Sequence, residues 1–246
     1  MKGEVNVYWF VATKYNPIVE DLISTKKLLD NQVIINDGDS RENLVSGAGM
    51  KLCPAITSYY DNCFTFVSPK KIRAKFLENG DLYTTLNLEH DDGLFTAVNK
   101  PSKAYSLNFS PVFIADTDTL ILEQLHPTGC GGEFSKKTSV RQGHLDCAKY
   151  ARPLDLVFQN HEAETSFDIL ENDPLMNIRF VTDKKINFIR VFPTPEILML
   201  LQTHVGEATR FHDGRFKSLK HHYNLFKASG ARKQLMKLIK EQVGAK

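Results

Sequence analysis

Ile72-Arg73-Ala74-Lys75-Phe76-Leu77-Glu78-Asn79-Gly80-Asp81-Leu82-Tyr83 decides the fold class. Two short runs of β-forming residues are joined through residues 78–81, where Asn79-Gly80 is the dipeptide that accepts positive φ at both central positions of a tight hairpin turn. Working outward, comparable runs lie at 64–67, 94–98, 105–109, 119–125, 154–158, 167–170, 177–181 and 186–192. Clusters of Pro, Gly, Asn and Asp separate them. That spacing predicts a mainly β core domain over 51–192, an antiparallel sandwich or a jelly-roll-like barrel.

The flanks read differently. In residues 1–50, Val5, Val7 and Trp9 form a β-like opening, 18–29 reads as a short helix, and 37–49 reads as a loop rich in Gly, Asp, Asn and Ser. At Pro193 the period changes. Thr194-Pro195-Glu196 is a helix start, with a hydroxyl to cap the free amides and Pro in the first turn, followed by Ile197, Leu198, Leu200 and Leu201. Phe216, Leu219, Tyr223 and Phe226 recur at spacings of three or four, and after Ser229-Gly230 so do Leu235, Leu238 and Ile239. Residues 193–246 are thus predicted to be an amphipathic helical appendage whose apolar stripe packs on the β domain.

The 246 residues are 42% hydrophobic and 24% charged, which excludes disordered, collagen-like and coiled-coil classes. No stretch approaches 18 uninterrupted apolar residues, and Met1-Lys2-Gly3-Glu4 is not followed by an apolar signal core. A soluble, cytoplasmic protein without membrane contact is expected. The four cysteines, Cys53, Cys63, Cys130 and Cys147, lie far apart and read as reduced thiols.

Charge is unevenly placed. Residues 210–246 carry ten Lys and Arg against two acids, Asp213 and Glu241, a net of +8; of 31 basic and 29 acidic residues this leaves 21 and 27, or −6, for 1–209. Lys217, Lys220, Lys227, Arg232, Lys233, Lys237 and Lys240 accompany the helical apolar stripe, so burying the stripe turns the cations outward. Such a face attracts an acidic protein surface, including another copy of the chain, or a phosphate backbone without reading its sequence.

Two constellations have metal-ligand spacing. His126 and Cys130, followed by His144 and Cys147, form two His/Cys pairs with Gly131-Gly132 next to the first, a pattern suited to tetrahedral zinc. His144-Leu145-Asp146 puts an imidazole and a carboxylate on one face of a strand, as in two-histidine, one-carboxylate iron sites, with His204 as a distant ligand and Arg210 or Arg215 as an anchor for an oxo-acid.

Gly143-His144-Leu145-Asp146-Cys147-Ala148-Lys149-Tyr150, with Leu154–Asn160, 169–173 and Ile178-Arg179-Phe180, resembles the latter half of the dUTPase and dCTP deaminase superfamily. That resemblance implies a water-activating base at Asp146 and a ring stacked beneath the base at Tyr150. The family's Pro-Arg-Ser-Ser type phosphate motif has no counterpart, the corresponding place reading Leu125-His126-Pro127-Thr128-Gly129-Cys130, and its Gly-rich, Arg-containing tail is missing. Cys53-Pro54-Ala55, the strand series, Gly143-His144-Leu145-Asp146 and Pro153-Leu154-Asp155-Leu156-Val157-Phe158 are similar to uncharacterised β-rich proteins of T4-like tailed phages and cyanophages. This second resemblance implies a virion component or an infection-phase accessory protein.

The expectation is therefore a non-enzymatic binding or structural protein with no cofactor, which engages other protein subunits or its own copies, and nucleic acid non-specifically, through its C-terminal helices. The alternative is a divergent dUTPase-like nucleotide-processing enzyme centred on Asp146 and Tyr150.

Overall fold

The computed structural model describes residues 3–12, 22–24, 58–68, 70–77, 82–85, 95–99, 101–107, 111–127, 132–161, 166–209 and 218–244. These form four sheets around a shared interior. The first sheet has the order β15 (Lys185–Arg190), β1 (Glu4–Val11), β8 (Pro111–Ala115). In the second, β10 (Thr138–Val140), β12 (Leu156–Asn160), β7 (Ala104–Leu107) and β6 (Phe95–Asn99) lie side by side. The third runs β11 (Gly143–Asp146), β9 (Ile121–Leu125), β14 (Pro174–Val181), β3 (Cys63–Val67), β2 (Leu22–Ser24), and the fourth β13 (Ser166–Ile169), β4 (Ile72–Phe76), β5 (Leu82–Thr85). A short helix, α1 (Glu133–Lys137), interrupts the strands, and α2 (Pro195–Thr209), α3 (Leu219–Ala228) and α4 (Ala231–Gly244) follow them. The protein is mainly β, sandwich-like, with a C-terminal helical appendage.

The fold-deciding stretch pairs as its sequence requires. Strand β4 is antiparallel to β5, with Phe76 opposite Leu82 and Ala74 opposite Thr84; the turn at 78–81 lies outside the described residues. On the other edge of β4, Phe167 and Ile169 stand opposite Ala74 and Ile72, and all four are buried. On the solvent side of the same pair, Arg73 holds Asp168 through two hydrogen bonds of 2.8 and 2.9 Å.

Strand β14 is buried along most of its length because it is flanked by β9 and β3. Its buried Asn177 is satisfied across the ladder, Thr65 Oγ1 donating to Asn177 Oδ1 at 2.9 Å. The register shifts between Pro174 and Met176, where proline has no N–H to give the ladder.

Strand β1 has apolar side chains on both faces. Val5, Val7 and Trp9 enter the interior shared by the four sheets, while Tyr8 and Phe10 face a second core with Val112 and Ile114 of β8. The C-terminal helices close this second core through Ile197, Leu201, Phe226, Leu235 and Ile239, so the apolar stripe finds the β domain as its partner.

Three features depart from the sequence reading. Residues 22–24, placed in a short helix over 18–29, instead form β2 at the edge of β3, where ladder hydrogen bonding outweighs local helical spacing; the rest of 18–29 and the 37–49 loop lie outside the described residues. Strand β1, grouped with residues 1–50, belongs to the core sheet system. Its pairing with β15 is parallel rather than antiparallel, the intervening chain being long enough for the crossover.

The helix boundaries follow the punctuation of the sequence. Thr194 Oγ1 accepts from the Ile197 N–H at 3.4 Å with Pro195 as the first residue of α2, and Ser218 caps α3 by accepting from the His221 N–H at 3.3 Å. Gly230, at φ +71°, makes the left-handed link between α3 and α4 that a side chain would strain. No helix among the described residues is long and apolar enough to cross a membrane.

Candidate functional site

The basic appendage has two kinds of cation. Arg232 projects back to the β body, donating through Nε to the Ala148 carbonyl and through Nη2 to the Thr117 carbonyl at 2.8 Å. Lys240 reaches Asp116 at 2.9 Å. These two residues fasten α4 to the loop after β8, Arg232 from a half-buried position and Lys240 from the surface. Lys220, Lys227, Lys233 and Lys237 are exposed, and Lys237 has only a loose helical pair with Glu241 at 3.7 Å. Lys217 lies outside the described residues. Ala231, Leu235 and Ile239 recur every four residues on the buried face of α4, which sends Lys233 and Lys237 to the solvent side.

Asp146 sits at the junction between strands and helices. It is 3% exposed, and its carboxylate accepts four hydrogen bonds: from the N–H groups of Leu120 (3.0 Å) and Ala148 (3.1 Å), the Thr119 hydroxyl (2.8 Å) and Lys149 Nζ (2.7 Å). Burial pushes its pKa up, but the Leu120 amide, Lys149 and Thr119 outweigh burial and hold it below the usual carboxylate value. Its own N–H donates to the Tyr223 hydroxyl of α3 at 2.7 Å. A carboxylate has about four acceptor positions, and here each has a protein donor, so Asp146 acts as an anchor in this conformation. Tyr150 is likewise covered. Its ring stacks on His222 at 5.9 Å and meets Phe226 edge-on at 5.4 Å, placing it in the second core beneath α3. The resemblance that made Asp146 a base and Tyr150 a stacking platform thus falls on two residues that bind the appendage to the β body.

The described zinc ligands are not brought together. His126 accepts from the Val140 N–H through Nδ1 at 3.2 Å, and its Nε2 lies 3.1 Å from the Ser135 carbonyl, to which it donates, so both ring nitrogens are used. Burial lowers its pKa, partly offset by the Ser135 carbonyl. Cys147 is buried in the main interior, its thiol donating to the Leu120 carbonyl at 3.3 Å, and burial first, then the charge of Asp146, drives its pKa strongly upward. His144 is exposed on β11, and Cys130 lies outside the described residues. Among the described residues no cluster of three His, Cys, Asp or Glu is placed to hold a metal. The proposed iron ligands fare no better: the Asp146 carboxylate is committed, His204 lies edge-on to Phe226 at 5.6 Å, and Arg210 and Arg215 fall outside the described residues.

One cleft was not singled out from sequence. It has a volume of about 380 Å³ and opens where β10 leaves the second sheet and β11 joins the third. Leu122, Leu145, Leu154, Arg141, Arg152 and Asp155 contribute to its wall. The only local signals were the Arg152-Pro153 break and Asp155 within an otherwise apolar run.

Compared with known proteins, the chain matches no family model, no curated protein and no solved structure.

Proposed function

We propose that this protein works by binding rather than catalysis, as a β scaffold that presents the outer face of α3 and α4 to an acidic protein surface. The observation that carries this reading is the division of cations on the appendage: Arg232 and Lys240 are paired with groups of the body, while Lys220, Lys227, Lys233 and Lys237 face solvent without a partner on the body among the described residues. The −6 charge of residues 1–209 makes a neighbouring copy a suitable partner, and other acidic subunits share the same chemistry. The similarity to T4-like phage and cyanophage proteins favours a place in a virion or among infection-phase accessory proteins, in the host cytoplasm or packaged in a particle.

The test replaces Lys220, Lys227, Lys233 and Lys237 with Gln together and leaves Arg232 and Lys240 in place, so that the appendage stays docked. Sedimentation at low salt measures self-association, and fluorescence anisotropy measures binding to duplex DNA. Loss of self-association in the variant supports the reading. Loss of DNA binding alone moves the partner to a phosphate backbone, and no change in either property defeats the use assigned to this face. Mass spectrometry of purified virions tests the phage setting.

A further inference from the structure

The cleft at the β10–β11 corner is separate in composition from the basic helical face. Its apolar wall includes Leu122 of β9 and Leu145 of β11, which stand opposite each other in the ladder, together with Leu154 from the segment leading into β12. Gly143 leaves the wall open, because a Cβ built there meets nothing within 4 Å. The Arg141 N–H donates to the Val157 carbonyl at 2.8 Å, and Gln124 Nε2 donates to the Asp155 carbonyl at 3.0 Å, so the two sides are held at a fixed spacing.

Charge on the cleft is predominantly positive. Arg141 and Arg152 are exposed, and neither makes an ion pair among the described residues; Arg152 spends only Nε on the Pro153 carbonyl at 3.2 Å. Asp155 is half-buried. Burial raises its pKa, Arg152 opposes that rise, and its carboxylate accepts no hydrogen bond among the described residues. An apolar wall with a few placed charged groups and a volume of this size is the usual make-up of a small-molecule site. Two guanidinium groups on separate segments match the two charges and three terminal oxygens of a phosphate monoester better than the single charge of a carboxylate.

We propose that this cleft binds a small organic phosphate, its apolar body against the exposed Val98 and the outer edges of Leu145 and Leu154 and its phosphate held by Arg141 and Arg152. Asp155, on the same lining, opposes the positive charge of the two guanidinium groups.

The experiment titrates the full chain with phenyl phosphate at pH 8, by calorimetry and by amide chemical shifts. Saturable binding is expected, with the largest shifts at Gly143, Leu145 and Asp155. Arg141→Gln and Arg152→Gln should each weaken it about tenfold, the scale of a lost charge-assisted hydrogen bond. Asp155→Asn should tighten it, because the repelling charge is gone. Inorganic phosphate and benzyl alcohol, each lacking half of the ligand, should both bind at least about tenfold more weakly. Unchanged thermal melting of the two Arg variants, whose side chains are exposed, separates lost binding from lost folding. The proposal is overturned by an absence of saturable binding, by equal affinity in the Arg variants, by weaker binding in Asp155→Asn, or by shifts centred on α3 and α4.

Discussion

The two faces of β1 support cores of different construction. On the inner face, Val5, Val7 and Trp9 join side chains drawn from all four sheets, with rings meeting at Phe113–Phe180 (6.0 Å), Phe134–Phe158 (5.2 Å) and Phe158–Phe167 (5.8 Å). On the outer face, Tyr8 and Phe10 are sealed mainly by one contiguous segment, the helices after Pro193. The inner core needs strands far apart in sequence to find each other. The outer core needs one appendage to dock, and docking is reinforced by polar fasteners: Tyr223 on the Asp146 N–H, Arg232 on two carbonyls, and Lys240 on Asp116. Stability is therefore expected to be lost through different events on the two sides.

The strongest test of this comparison removes residues 193–246. Among the described residues every strand pairing is upstream, yet Tyr8, Phe10, Val112, Ile114 and Tyr150 lose their cover. Uncovering a large apolar side chain costs about 1.5–3 kcal/mol, and whole-domain stability is only about 5–15 kcal/mol. The truncated chain is expected to aggregate or to lose its cooperative thermal transition. A soluble, cooperatively melting β domain would break the comparison, because the outer face would then be tolerated in water.

Next in size are single truncations on the two sides. Phe158→Ala, in the middle of the inner rings, should lose about 3–5 kcal/mol by urea unfolding. Leu235→Ala should lie nearer about 2–3 kcal/mol, because α4 can settle toward the vacated space more readily than a paired strand can. Equal losses would show the appendage to be as rigidly held as the sheets.

Asp146→Asn tests the carboxylate that ties β11 to the segment before β9, while the main-chain link from Asp146 to Tyr223 of α3 is kept. It should lower stability by about 2–3 kcal/mol, since a buried, charge-assisted set of acceptors is disrupted. The sign with pH follows from its lowered pKa: the ionised form is favoured in the folded state, so its contribution is full above the ordinary carboxylate value of 3.8 and is lost as pH falls toward the lower folded value. Denaturant melts of the parent should weaken over that acid window more steeply than those of Asp146→Asn. Parallel pH profiles would remove the role assigned to the carboxylate.

The smallest effects separate the two kinds of cation. Arg232→Gln should cost about 1–2 kcal/mol by leaving the Ala148 and Thr117 carbonyls without their donor, whereas Lys233→Gln should change stability by less than about 0.5 kcal/mol. If both are silent, Arg232 is no fastener and its assignment reverts to the exposed face.

The elements whose signals are local were legible in the sequence. Residues 72–76, read as one strand, are β4, and the Asn79-Gly80 signal implied the pairing of β4 with β5 that is observed. Thr194-Pro195 and Ser229-Gly230 marked where α2 and α4 begin. Pro111–Ala115 was not picked out as a strand although it is buried throughout, because a strand covered on both faces has no alternation to detect. Residues 22–24 carry too little pattern to distinguish a strand from a helix, and their pairing with β3 decides the matter.

For the sites, residue type alone could not tell a fastener from a docking cation. Arg232 and Lys233 are neighbours with the same sign of charge, and only the 100° turn of a helix against a particular β surface sends one to Thr117 and the other to solvent. Asp146 offered the same carboxylate to either a base or an anchor; two of the four donors that hold it, the Leu120 N–H and the Thr119 hydroxyl, arrive from a distant segment. The cleft is further still from local reading, since its walls run from β6 to β12 and meet only at the corner between two sheets. Composition, turn chemistry and hydrophobic period thus determined a mainly β chain ending in basic amphipathic helices, because each acts within a few residues. Which polar groups are consumed inside the fold and which remain for a partner was decided by tertiary structure, because a hydrogen bond depends on ångström-scale approach between segments that the sequence places far apart.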